Sequence, residues 1–128
     1  MIYIALILIL LVGISEAIMD KLQFHYSLSV FSKFNPLFWN PEISWKNKWK
    51  NGDNLQGEKF WLSSTLFVFT TDAWHLFKFF RNLFFFSAIH FVLWISFEFY
   101  TSLLFTIGLR VGYGAMFYIF YNFVLKIK

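Results

Sequence analysis

Asp72 and His75 are the two side chains in this sequence best placed to do chemistry together. They stand at positions i and i+3, so on a helix they lie on one face. The run that begins at Phe60 is apolar enough to enter a bilayer, where a charged side chain costs roughly 2.5–3.5 kcal/mol even on insertion scales. Side chains of that cost have a partner or a function, so the pair predicts a polar site inside a membrane protein.

Other acids and histidines extend this predicted site. Glu16 and Asp20 stand at i and i+4, either reaching for interfacial water or forming a carboxylate pair that faces other helices. A carboxylate on one helix with an acid-x-x-His pair on another is the ligand arrangement of carboxylate-bridged metal bundles, and it suits iron, manganese or zinc. The metal ligands would be Glu16, Asp20, Asp72 and His75; the whole predicted cluster is Glu16, Asp20, His25, Asp72, His75, His90 and Glu98.

The composition is that of a membrane protein. Hydrophobic residues make up 59% of the 128 residues, whereas about half is usual in soluble domains. Twenty Phe and six Trp would promote aggregation in water but suit a lipid environment. The largest group of charged residues lies between positions 42 and 59, and the net charge of +4 favours anionic lipid headgroups over nucleic acid. Cysteine is absent, which excludes disulfides and thiolate metal sites.

Four apolar runs predict an all-α, polytopic transmembrane bundle of three to four spans, forming a single membrane domain over residues 1–128. The spans are expected at about 2–19, 60–80, 83–106 and 111–125. A signal peptide is the alternative for the first run, although no positive region precedes it. Gly108, Gly112 and Gly114 predict a turn around Arg110. The last run is short, so it is either a fourth crossing, extended by Lys126 and Lys128, or an interfacial tail.

The region from 22 to 59 is predicted to lie at the membrane interface. Residues 22–30 alternate between apolar and polar, which is typical of an extended segment. Asn40-Pro41-Glu42 has the signals of a helix start, and Asn51-Gly52 those of a stop. Between them Trp45 and Trp49 would share a helix face, with lysines around it. The residues expected to contact lipid headgroups are Trp45, Lys46, Lys48, Trp49, Lys50, Lys78 and Arg81, the last two marking the end of the second span.

Two strings, Asn40-Pro41-Glu42-Ile43-Ser44-Trp45-Lys46-Asn47-Lys48-Trp49-Lys50-Asn51-Gly52-Asp53 and Thr71-Asp72-Ala73-Trp74-His75-Leu76-Phe77-Lys78, resemble a family of small, uncharacterised bacterial and phage membrane proteins. The likeness also includes the first span with Asp20 and Leu22-Gln23-Phe24, and so covers roughly residues 13–82. It implies a bacterial-type membrane location, and it assigns no activity.

These features lead to three hypotheses of function. The first is a non-catalytic component of the bacterial inner membrane that packs with a second copy or within a larger complex, around its polar cluster and among lipids. The second is an intramembrane metal-dependent enzyme or a cation- or proton-binding protein that uses Glu16, Asp20, Asp72 and His75. The third is a protein that binds phospholipid headgroups. The excess of Lys and Arg beside the long loop places that loop in the cytoplasm.

Overall fold

The structure, a computed structural model, describes residues 1–119 and 122–123, and within them it is helical with no strand. The predicted all-α class is therefore confirmed. Helix α1 spans Ile2–His25, and two short helices follow, α2 at Pro36–Trp39 and α3 at Pro41–Ser44. Two long helices follow, α4 at Ala73–Ser96 and α5 at Phe99–Ile119.

Two segments are long and apolar enough to cross a membrane among the residues described. They are Ile2–Leu28, which contains α1, and Ala73–Ser96, which is α4. Part of the predicted fourth span at 111–125 falls outside the described residues, as do Lys126 and Lys128.

By its contacts the chain divides into two compact units. One is Leu10–Leu83, termed here the cap unit, and the other combines Met1–Ile9 with Phe84–Lys128, termed here the hairpin unit. The single membrane domain stays a prediction.

The end of α1 differs from the predicted extended segment. Leu22 to His25 complete α1, and two 3-10 turns follow, at Tyr26–Leu28 and Val30–Lys33. These turns bind their own backbone groups: the Ser29 N–H donates to the carbonyl of Tyr26 at 3.0 Å. An isolated strand has no partner for its N–H and C=O groups, so local helical turns satisfy this segment better.

The predicted helix start at Asn40 is confirmed, but the helix is shorter than expected. The Asn40 side chain accepts the N–H of Glu42 at 3.0 Å, and the chain turns through α3 and a 3-10 turn at Trp45–Lys48. At Trp49 the backbone becomes extended and forms an antiparallel bridge with Glu58. Trp45 and Trp49 therefore do not share a helix face. The reason is that Asn51 and Gly52, both at positive φ, fold the chain back on itself rather than only ending a helix.

The predicted span at 60–80 is wrong over its first half. Residues 60–72 form turns, and α4 begins only at Ala73. Polar side chains hold these turns: the Ser63 hydroxyl donates to the carbonyl of Lys48 at 2.7 Å, and the Glu58 carboxylate accepts the N–H groups of Leu62 at 3.0 Å and Ser64 at 3.2 Å. Lys78 and Arg81 consequently lie near the start of a membrane-length helix and not at its end.

The hairpin unit contains the break between α4 and α5, which falls at Phe97 and Glu98 and not at the three glycines. Side chains on either side of the break pair in antiparallel order: Trp94 with Phe99, ring centroids 4.7 Å apart, and His90 with Ser102 at 3.2 Å. Further along, Arg110 lies 5.6 Å from the Phe86 ring. These contacts hold α5 as one helix, overriding the weak helix propensity of glycine.

Most of the buried positions in both units hold small or polar side chains, with Met19 and Leu22 of the cap unit as exceptions. Ser102 and Ala88 are buried in the hairpin unit, and Ser44, Ser63 and Asp72 in the cap unit. Large apolar side chains face outward instead; Leu10 is 69% exposed and Leu104 is 70% exposed. Soluble proteins bury their large apolar residues, whereas membrane helices approach each other through small ones.

Candidate functional site

Asp72 and His75 form the polar pair that the sequence predicts. Asp72 immediately precedes α4 and accepts the backbone N–H of His75 at 2.9 Å, the geometry of an N-cap. The same carboxylate lies 2.7 Å and 3.0 Å from Nδ1 of His75. The Thr71 hydroxyl adds a third partner at 3.3 Å. Asp72 is only 2% exposed, so the carboxylate both starts the helix and orients the imidazole from a buried position.

A cavity of about 320 Å³ lies against this pair within the cap unit, and it is called here the Asp72–His75 cavity. Its lining combines three separated stretches of the chain: Gln23; Pro41, Ser44 and Trp45; and Asp72, Trp74 and His75. The fold thus brings distant segments to one cavity with two indoles and one imidazole.

Asn47 holds the middle stretch against the base of α4. Its side-chain amide donates to the carbonyl of Thr71 at 3.1 Å and also to the carbonyl of Leu37. Sequence reasoning singled out the tryptophans and lysines of this segment and missed Asn47. Its position among lysines gave no signal, because both of its partners are backbone carbonyls distant in sequence.

Lysine side chains lie beside the two cavity tryptophans. The Lys78 ammonium is 4.9 Å from the centroid of the Trp74 ring, and the Lys46 ammonium is 5.7 Å from that of Trp45. Lys48 pairs in the same way with Trp49, at 5.8 Å, away from the cavity lining. Cation–π contacts of this kind place positive charge next to an aromatic wall.

A second cavity of about 430 Å³ adjoins the first in the cap unit, and the two share Gln23 and Pro41. It is called here the Tyr26 cavity, since Tyr26 contributes to its lining together with Ser27, Ser32 and Glu42. The Tyr26 hydroxyl is buried and has no hydrogen-bond partner among the described residues. A buried hydroxyl of this kind usually signals an atom that is not protein.

The other predicted cluster residues lie elsewhere. Glu16 is exposed on α1, with its carboxylate 4.0 Å from the Arg81 guanidinium, and Asp20 and His25 are also exposed. His90 contacts Ser102 within the hairpin unit, and Glu98 is exposed at the α4–α5 break.

The predicted metal cluster is therefore corrected. Over residues 1–119 and 122–123, no group of three or more His, Asp or Glu side chains could hold a metal ion. The physical reason is that the carboxylates already have partners nearby. Asp72 accepts the backbone N–H of His75 and contacts its ring, and Glu16 lies next to Arg81.

Glu58 is a further polar residue of the cap unit, and the sequence analysis did not single it out within the region 22–59. Its carboxylate accepts hydrogen bonds from the Ser64 hydroxyl and from the N–H groups of Ser64 and Leu62. The Ser64 hydroxyl is the largest cause that lowers the pKa of Glu58, the two N–H groups lower it further, and partial desolvation opposes them. Glu58 organises the turns that precede α4.

In chemical terms, Asp72 can hold the His75 imidazole in one orientation for proton transfer or hydrogen bonding. A carboxylate on Nδ1 fixes the imidazole tautomer and leaves Nε2 to accept or donate a proton. Ser44 lines the same cavity, yet the structure places no hydrogen bond between Ser44 and His75, so a nucleophile–base pair is not assembled there. The geometry is that of a cavity with one imidazole held in place by a carboxylate.

Comparison with family models, with curated proteins and with solved structures found no match for this chain. The resemblance to small bacterial and phage membrane proteins stays a prediction.

Proposed function

We propose that this chain is a small, non-catalytic integral membrane protein of the bacterial inner membrane. In this proposal α1 and α4 cross the bilayer, α5 forms a third span, and the loop between α1 and α4 folds on the membrane surface. The protein works among lipids and together with a second copy or another membrane protein. One observation carries the proposal: most of the buried side chains are small or polar, while many large apolar side chains are exposed.

The energetics of exposure support a lipid environment. Ile7 and Leu10 on α1, and Val92 and Ile95 on α4, all face outward. Removing apolar surface from water is favourable by about 25 cal/mol per Å². A helix that exposes such residues along its length is therefore less stable in water than in lipid. The internal contacts of Ser102 and Thr106 satisfy hydroxyls that lipid could not.

The polar pair supports a binding role rather than a catalytic one. The two oxygens of Asp72 accept hydrogen bonds from the Thr71 hydroxyl and from the backbone and ring of His75. Removing such a carboxylate would disturb the start of α4 itself. The pair is thus part of the framework that holds the cap unit together.

One observation favours a second candidate function, an enzyme or proton-binding protein. Asp72 lies 2.7 Å from Nδ1 of His75, and His75 lines a cavity, as a general base would. A His75-dependent release of fatty acid from phosphatidylglycerol vesicles, lost in His75→Gln, would move the function to this class.

Alkaline carbonate extraction of bacterial membranes tests the proposed function. The wild-type chain should remain in the membrane pellet. Leu10→Arg, on the exposed face of α1, should reduce insertion because a charge would then face lipid. Leu55→Arg is the matched control, since Leu55 is 91% exposed in a turn of the cap unit and should tolerate the same charge. Release of the wild type by carbonate, or equal behaviour of the two variants, would contradict the proposal.

A further inference from the structure

We infer that the Asp72–His75 cavity and the adjoining Tyr26 cavity bind the phosphate ester headgroup of a membrane phospholipid. The phosphate would lie at His75, and a hydroxyl of the headgroup would lie at Tyr26. This inference rests on the proposed function, because it takes α1 and α4 as spans.

The position of the cavities supports a lipid ligand. Gln23 and Tyr26 stand at the end of α1, and Trp74 and His75 stand in the first turn of α4. If both helices span the membrane, these helix ends lie at the boundary between the hydrocarbon core and the headgroup layer. Headgroups occupy that layer, and tryptophans are enriched in it.

The charges around the first cavity favour an anion. Lys46 and Lys78 place ammonium groups beside the two indoles that line it. Asp72 carries the only carboxylate in that lining, and its oxygens already accept hydrogen bonds from Thr71 and His75. Nδ1 of His75 lies on this carboxylate, which leaves Nε2 as the ring atom whose N–H would donate to a phosphate oxygen.

The Tyr26 hydroxyl specifies what lies next to the phosphate. Tyr26 lines the second cavity, and its buried hydroxyl has no partner in the described part of the chain. A movement of the ring that turns this hydroxyl into the cavity would let a headgroup hydroxyl satisfy it. The two cavities hold about 320 and 430 Å³, and ligand pockets span roughly 300–1,000 Å³. A phosphate followed by a polyol, as in phosphatidylglycerol, matches this order of groups.

The test is native mass spectrometry of the full chain in detergent, titrated with dioleoylphosphatidylglycerol. Dioleoylglycerol, with the same acyl chains and no phosphate, is the control lipid. Wild type should retain the phospholipid and not the control. His75→Gln should weaken retention roughly tenfold to a hundredfold, the range for losing a hydrogen bond to a charged group. Lys78→Met should weaken it as well, because the Lys78 ammonium lies beside the cavity residue Trp74. Lys59→Met removes an equal charge that contacts neither cavity tryptophan, and it should not.

A second variant and a second ligand test the Tyr26 contact. Tyr26→Phe should reduce the preference for dioleoylphosphatidylglycerol over dioleoylphosphatidylcholine, which lacks headgroup hydroxyls, while total phospholipid binding persists. Glycerol phosphate separates the two sources of a phosphate ester: if it displaces the lipid at equal concentration, the ester is soluble and the lipid assignment fails.

Retention of phospholipid by His75→Gln at the wild-type level would overturn the inference, as would equal binding of the lipid without phosphate. Carbonate extraction reports separately on the proposed function. A chain that stays in the membrane yet shows no His75-dependent binding refutes this inference alone.

Discussion

Asn47 donates a hydrogen bond from its side-chain amide to the main-chain carbonyl of Thr71 at 3.1 Å, across 24 residues of sequence. The bond joins the segment that carries Trp45 to the residue preceding Asp72. It places one wall of the Asp72–His75 cavity against the base of α4. The shape of the candidate site thus depends on a side chain that does not line it.

Replacing Asn47 should loosen the cap unit without removing the helices. Asn47→Ala leaves the carbonyl of the buried residue Thr71 without this donor, at a cost of about 1–3 kcal/mol for an unsatisfied buried group. The bond to the Leu37 carbonyl is exposed, so water can replace it. Hydrogen exchange of residues 36–48 should become faster. Asn54→Ala is the control, since Asn54 is exposed and its side chain makes no hydrogen bond in the structure. Equal exchange in both variants would show that the Asn47 bonds are dispensable.

The two roles of Asp72 can be separated by substitution. Asp72→Asn keeps a side-chain oxygen for the helix start but loses the charge beside His75, whereas Asp72→Ala loses both. Asp72→Ala should lower stability by about 0.5–2 kcal/mol, the usual cost of removing an N-cap, and Asp72→Asn by less. Thermal unfolding in detergent measures the difference. Asparagine as destabilising as alanine would mean that the contact with His75, and not the cap, dominates.

Acid should loosen the turns that precede α4. The pKa of Glu58 is lowered below its ordinary value of 4.5, so its carboxylate stabilises the fold above that value. This contribution is lost as the pH falls through the lower, folded-state pKa. The amide protection factors of Leu62 and Ser64 should therefore decrease below about pH 4.5 in wild type. Glu58→Gln should show weaker protection with little pH dependence. Glu42→Gln, whose side chain makes no hydrogen bond in the structure, should behave as wild type does.

The glycines of α5 offer a test of its continuity. A methyl group added at Gly108 or Gly112 meets no atom within 4 Å, so alanine should fit at both. Gly108→Ala and Gly112→Ala should each stabilise the helix by up to about 1 kcal/mol, measured by thermal unfolding. Gly57→Ala should destabilise instead, because Gly57 has φ +83°. Destabilisation at Gly108 and Gly112 would favour the turn that the sequence suggested.

Labelling can test whether α4 crosses the membrane. The chain contains no cysteine, so single cysteines give specific labelling sites. Asn54 lies in the turns that precede α4, and Glu98 lies directly after it. A membrane-impermeant maleimide should modify them from opposite sides, with Asn54 on the cytoplasmic side if positive charge sets the orientation. Modification of both from one side would rule out α4 as a span.

Local features of this protein could be predicted from its sequence. Three such features are the helix start at Asn40-Pro41, the apolar helix α1 and the pairing of Asp72 with His75. Each of them depends on residues that are close in sequence. Capping and i, i+3 geometry act over that distance, so residue type and spacing are sufficient to specify them.

The tertiary structure decided the rest. Asn47 and Ser63 bond to carbonyls 24 and 15 residues away, and such contacts leave no local pattern. They hold residues 60–72 in turns although their apolar composition suits a span. Likewise, the pairing of Trp94 with Phe99 and of His90 with Ser102 placed the helix break at Phe97 and Glu98, where neither glycine nor proline marks it. Long-range hydrogen bonds and side-chain packing outweigh local propensity at these positions, and they also create the cavity beside His75.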